Sequence, residues 1–246
     1  FITALKDDLE LYQMNGRILP EAITATSFIR IWKDYDFVLY FRNSLGVTLV
    51  AVLISLVAST LTGYGATRFN FKGKNTFLSF ILMTQMFPSI MLLVPFYKIL
   101  SVYGLNNSLV GLCVVYVSFT IPFCSWMMVG YFRTIPTEID ESAAIDGASH
   151  LQTFWKIALP LVKPGLVSSA IYAFITCWNE YMFAAILLVN DKLKTAAVAI
   201  AEMNGYYKIA WNDMMAASLV ASVPLIIAFI FMQKSFISGL TAGAVK

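Results

Sequence analysis

The sequence predicts an all-α, polytopic membrane protein with five transmembrane helices. Three observations point there. Hydrophobic residues make up 59% of the 246 residues and charged residues only 13%, with a mean hydropathy of +0.74. A soluble core of this size could not bury that much apolar surface. Uncharged stretches long enough to cross a bilayer recur along the chain. One short polar stretch, residues 136–160, is set between them and carries dense local patterning.

The spans follow in order, at about 43–67, 75–97, 109–132, 164–189 and 214–234. Asn43 to Thr67 gives 25 uncharged residues and Asn75 to Tyr97 gives 23. Ile99 to Phe132 gives 34, but Gly104-Leu-Asn-Asn-Ser108 reads as a turn and starts the third span near residue 109. Pro164 to Asn190 gives 27 residues interrupted only by Glu180, and Met214 to Gln233 gives 20. Small residues recur every fourth position in the first span: Ala51, Ser55, Ser59, Gly63 and Thr67. They form one stripe on a helix, suited to internal packing or to a subunit interface. Pro88, Pro95, Pro122 and Pro224 lie in or near spans and can bend them.

Residues 1–42 mix charge with aromatics and read as an extracytoplasmic or interfacial segment ahead of a transmembrane domain at 43–246. Trp32, Tyr35 and Tyr40 suit the headgroup region. The chain starts with Phe1 and shows no signal peptide. Cys113, Cys124 and Cys177 sit in apolar runs and read as small buried hydrophobes. His150 is the sole histidine, so no histidine metal cluster is expected. The net charge of +3 with no basic block argues against nucleic acid. Five spans put the termini on opposite sides. Lysine and arginine number eight on one side and nine on the other, so they do not orient the chain.

In the polar stretch, Thr137 and Asp140 have capping-box spacing, which predicts a helix from near Glu138. Gly147 permits a break. Ser149 and Gln152 form a second capping box, and Leu151, Phe154, Trp155 and Ala158 give the second helix one apolar face. Pro160 is expected to end it by restricting Leu159. Ala143, Ala144, Gly147 and Ala148 make a small face on the first helix, flanked by Glu141 and Asp146. A hairpin resting on lipid would be rich in lysine and arginine, and residues 136–155 have none. A protein partner is the better reading.

Glu141-Ser-Ala-x-x-x-Gly147, then nine residues, then Ile157-x-Leu159-Pro160, resembles the EAA motif of ATP-binding-cassette importer permeases. Ser142 stands where that family usually has alanine. Asn43-Ser44, Phe71-x-Gly73-Lys74, Met86-x-Pro88, Trp178-Asn-Glu-Tyr181 and Gly239-Leu-Thr-Ala-Gly-Ala-Val-Lys246 are similar to the carbohydrate-importer branch, the maltose permease G-type subunits. The resemblance implies a non-catalytic permease subunit of an importer of carbohydrates such as oligosaccharides, in a prokaryotic cytoplasmic membrane. It implies that Glu141, Ser142, Ala143, Ala144, Asp146, Gly147, Ala148, Ile157, Leu159 and Pro160 form the coupling loop that docks on the ATPase.

The partners implied are two ATP-binding-cassette subunits, a second, maltose permease F-like chain, and an extracytoplasmic substrate-binding protein met by the segment Asn190 to Asp213. ATP and Mg would be bound by the ATPase, and no cofactor by this chain. The resemblance also implies six helices, the first preceding Phe1, with the coupling loop and the C-terminus in the cytoplasm. The sequence contains no G-x-x-x-x-G-K-[ST]; the nearest fragment, Gly73-Lys74-Asn75, has Arg68 in place of the first glycine. That agrees with a separate ATPase.

Asn179 and Glu180 interrupt the fourth span. An ionisable residue there is a functional hypothesis by default. Three readings stay open for Trp178, Asn179, Glu180 and Tyr181: lining the sugar pathway, contacting the partner permease, or reaching the outer interface. The competing function class is a self-contained secondary transporter with Glu180 as its proton or ion site. Such folds often contain repeated halves, and no duplicated motif is visible here.

Overall fold

The computed structural model describes residues 1–12, 17–204 and 210–244, with side chains through Phe231. Its helices are α1 (Asp8–Tyr12), α2 (Thr26–Lys33), α3 (Phe37–Arg68), α4 (Lys74–Thr84), α5 (Leu93–Val102) and α6 (Leu109–Arg133). There follow α7 (Thr137–Ile145), α8 (His150–Leu161), α9 (Lys163–Trp178), α10 (Met182–Leu187), α11 (Ala196–Glu202) and α12 (Trp211–Ala244). No β-strand occurs among the described residues.

Three helices, α3, α6 and α12, are long and apolar enough to cross a membrane unbroken, and five result if each of two bent pairs counts as one span. The first pair is α4 with Ser89–Val102, bent by 95°. Pro88 sits at its corner, just before a short 3-10 turn at Ser89–Leu92. The second pair is α8 with α9, bent by 74°. The stretch expected as one span at 164–189 is itself divided: α9 stops at Trp178, and α10 begins at Met182. The first span extends its expected 43–67 at both ends, starting at Phe37.

The centre of the molecule is the packing of α3 on α6. Ala51, Ser55, Ser59 and Gly63 are buried, so the small-residue stripe serves internal packing. The Thr120 hydroxyl donates to the Tyr116 carbonyl at 2.8 Å and therefore accepts from Ser55 at 2.6 Å. That bond ties the two helices within an apolar region, where unmet polar groups are costly. At Gly63 a Cβ atom would lie 2.8 Å from Met128 Cβ and 2.9 Å from the Met128 carbonyl carbon. The backbones meet there with no room for a side chain. Gly63→Leu is expected to destabilise the fold by about 2–3 kcal/mol, seen as a lower unfolding temperature in detergent. Gly65→Leu, where nothing lies within 4 Å, is the control and is expected to leave it unchanged.

At the end of α3 where Phe37 lies, the first residues and the start of α12 build a cap together. Arg30 grips Asp8 with two bonds of 2.9 Å and reaches Asp213 at 2.8 Å. The bond to Asp8 holds the guanidinium pKa above its usual value. The Tyr35 hydroxyl donates to Asp213 at 3.3 Å, and burial foremost raises its pKa. Ala4, Ile31, Phe37, Ala196, Met203, Ala216 and Ala217 fill the apolar core beneath. Asn43 donates to the carbonyls of Lys192 and Lys194, and Ser44 accepts from the Ala196 N–H at 2.8 Å. The Asn-Ser pair thus pins the loop between α10 and α11 to the top of α3.

Candidate functional site

The polar stretch folds as two helices at an angle, as its caps and glycine indicate. Gly147 has φ of +81°, with open space around its missing Cβ. It is needed for backbone conformation alone. Its N–H donates to Ala144 O at 3.0 Å, and Ala148 N–H donates to Ala143 O at 2.9 Å, the pair of bonds that closes a Schellman turn. The second capping box forms as expected: the Ser149 hydroxyl accepts from Gln152 N–H, and the Gln152 side chain accepts from Ser149 N–H.

Three local expectations are corrected. The first capping box does not form; α7 begins at Thr137 with no side-chain cap. Asp140 is instead drawn to Arg68 at the end of α3, with 2.7 Å between Asp140 Oδ2 and Arg68 Nε. Pro160 does not end the second helix, which continues to Leu161. A π-turn over Phe154–Ala158 precedes the proline, and Leu159 N–H donates five residues back to Phe154 O. This wider turn takes the ring without the usual clash against the carbonyl four residues earlier. Finally, Leu151, Phe154, Trp155 and Ala158 do not share one face. Phe154 and Ala158 are buried, while Leu151 and Trp155 are exposed.

That division gives the loop an anchored side and a free side. Phe154 packs edge-on against Tyr64 at 4.9 Å, inside a cluster with Met128, Phe132, Ile135 and Val162. Ala143 is buried beneath α7. Facing away are Glu141, Ser142, Ala144, Ile145, Asp146 and Gly147, with Ala148 half-buried. Ile145 is 87% exposed, Leu151 68% and Trp155 59%. On a segment this polar, three such side chains lie together in the open. Ile157 and Leu159 are half-buried and Pro160 is exposed.

The second candidate region is the break between α9 and α10. Glu180 lies in it and serves as a cap: its carboxylate accepts from Phe183 N–H at 2.7 Å, Ala184 N–H at 3.1 Å and the Tyr116 hydroxyl at 3.2 Å. A carboxylate is stabilised where a helix starts and its N–H groups are unpaired. Trp178 is buried; its indole N–H donates to Ala221 O at 3.0 Å and its ring stacks on Phe174. Asn179 and Tyr181 are exposed on either side of the half-buried cap. Of the outer-segment aromatics, Trp211 is exposed, and Tyr206 and Tyr207 lie outside the described residues.

The family model for binding-protein-dependent transport system inner membrane components matches residues 51–241. The chain belongs to that family. This transport component is 35% identical over 247 residues to the inner membrane ABC transporter permease protein YcjP of Escherichia coli K12, covering 100% of this chain and 88% of that one. It is 36% identical over 226 residues to the trehalose/maltose transport permease MalG of Thermococcus litoralis, covering 91% and 81%. Its fold resembles a chain in the crystal structure of a bacterial ABC transporter involved in import of the acidic polysaccharide alginate. There the TM-score is 0.80 at 24% identity, over 95% of this chain and 87% of that one.

Sequence reasoning missed two residues that organise these regions. Arg68 reads only as a charge at the end of a span, and Tyr116 as one more aromatic. Their partners are 72 and 64 residues away, Asp140 and Glu180. No local pattern encodes either contact.

Proposed function

We propose that this chain forms half of the translocation pathway of an ATP-driven importer of carbohydrates, and couples ATPase closure to alternating access. The observation that carries the reading is the exposed face of the polar loop, Ile145, Leu151 and Trp155 beside Glu141 and Asp146. Two ATP-binding-cassette subunits would dock there and hold ATP and Mg, which places the loop and the C-terminus in the cytoplasm. A second permease subunit completes the pathway, and an extracytoplasmic binding protein delivers the substrate to the opposite face. Carbohydrate as the substrate class rests on relatives named for trehalose and maltose, diacetylchitobiose and maltodextrin. Asn179 and Tyr181, exposed at the helix break, are the pathway or partner contacts of the four residues there. Glu180 supports them as a cap, with its oxygens engaged by three donors, rather than as a proton carrier.

Uptake by reconstituted vesicles tests the reading. Accumulation of labelled oligosaccharide is expected only with all subunits, the binding protein and ATP present. Uptake by the permease chains alone, driven by an ion gradient, would overturn it.

A further inference from the structure

We infer that Arg68 and Asp140 are positioning residues for transport, joining the coupling loop to α3 so that movement of the loop becomes movement of the span. The inference rests on the loop being the ATPase dock. Arg68 is the last residue of α3, and its side chain is only 8% exposed. Its Nε lies 2.7 Å from Asp140 in α7, a close charge contact. Its other two nitrogens donate to Phe132 O at 3.4 Å and Ile135 O at 3.1 Å, at the end of α6. One guanidinium therefore binds three elements: the end of α3, the end of α6 and the first half of α7.

The chemistry suits arginine. Carbonyls at the end of a helix lack intrahelical donors and carry partial negative charge. A planar guanidinium spreads its donors in fixed directions, so it can serve two carbonyls while its charge lies against a carboxylate, over a wider span than a compact ammonium covers. Burial limits screening by salt. Removing either charge leaves the other uncompensated.

Position decides the role. α7 buries only Ala143, so little apolar contact holds it to the spans. The other attachment is Phe154 on Tyr64, which is again in α3. Both anchors of the loop thus reach α3 and, through Phe132 and Ile135, the end of α6, and these two helices pack on each other along the small-residue stripe. An aromatic contact can slide, whereas this buried charge contact, on a guanidinium that also donates to two carbonyls, ties α7 to the ends of α3 and α6. Asp140 also points inward, away from the exposed face, so it is placed to hold the loop and not to touch a docked protein.

The test uses the complete reconstituted transporter. In Asp140→Asn and Arg68→Gln, the ATPase is expected to co-purify in wild-type amounts and to hydrolyse ATP without binding protein as before. Uptake and the stimulation by binding protein are expected to fall about tenfold. Wild-type uptake in both variants would overturn the inference, and so would loss of ATPase co-purification from Asp140→Asn, which would make Asp140 a docking residue. If the single variants fold poorly, Arg68→Cys with Asp140→Cys separates folding from coupling. A short bis-methanethiosulfonate cross-linker, which forms a disulfide with each cysteine and releases sulfinate, should restore uptake, and reduction of those disulfides should abolish it. Cross-linked protein that stays uncoupled overturns the inference. Failure of the docking reading itself would show separately, as intact ATPase association in variants of the exposed face.

Discussion

Glu180→Ala is expected to unfold the junction between α9 and α10 and to abolish transport, while Glu180→Gln has a milder effect on both. The carboxylate accepts from two backbone N–H groups and one phenolic hydroxyl. Alanine leaves all three donors without a partner in an apolar setting. At about 1–3 kcal/mol for each orphaned group, the loss is about 3 kcal/mol or more. Glutamine keeps one carbonyl oxygen but puts an NH2 in place of the other, so at least one backbone N–H loses its acceptor, at about 1–3 kcal/mol. Thermal unfolding in detergent and vesicle uptake measure the two effects side by side. Wild-type stability in Glu180→Ala would reject the capping role. Retained uptake in Glu180→Gln, which cannot release a proton, would end the case for Glu180 as a proton site. Tyr116→Phe is the companion variant, since it removes one donor and leaves the helix start intact.

The second large effect is at the exposed face of the loop. Ile145→Asp combined with Trp155→Ala is expected to weaken ATPase association by a hundredfold or more. Trp155→Ala alone should cost about 2 kcal/mol, or about thirtyfold, the scale of an interface hot spot. Both side chains are mostly exposed, and the one ring contact given up is that of Trp155 on the edge of neighbouring Phe154 at 5.2 Å, so the unfolding temperature should move little. Phe154→Ala is the contrast. It deletes a buried ring against Tyr64 and should lower stability by about 3–5 kcal/mol. Co-purification of the ATPase and a melting curve for each variant distinguish surface from support. Wild-type association in the double variant would remove these residues from the dock.

Much of this architecture is legible in the chain because much of it is local. The uncharged stretches mark the spans by length alone. Ser149 and Gln152 are three residues apart, and the box they form needs nothing else. Gly147 marks a turn that only a residue free of Cβ adopts easily. What escapes is settled by distant partners. Thr137 and Asp140 carry the same local spacing as the second box, yet Arg68 takes Asp140, because an arginine at the end of a span has few other anions within reach. Glu180 looks like an interruption of a continuous span. Only Tyr116 and the freed N–H groups of Phe183 and Ala184 reveal that the helix stops and restarts there. The π-turn before Pro160 is equally hidden, since a proline there is compatible either with a helix end or with a widened turn that carries the helix past it. The exposed pair Asn179 and Tyr181 could be named in advance, but which of the four neighbours face outward could not.

The grip of Arg30 on Asp8 and Asp213 also bears on biosynthesis. Arg30 emerges from the ribosome 183 residues before Asp213. Between them lie α3, α6 and the two bent helix pairs. Until α12 arrives, the cap has an arginine without its second carboxylate and an apolar floor without Ala216 and Ala217. Closure of the cap is thus a late, long-range event with a high loop-closure cost. A protein stalled before α12 would display an open cap.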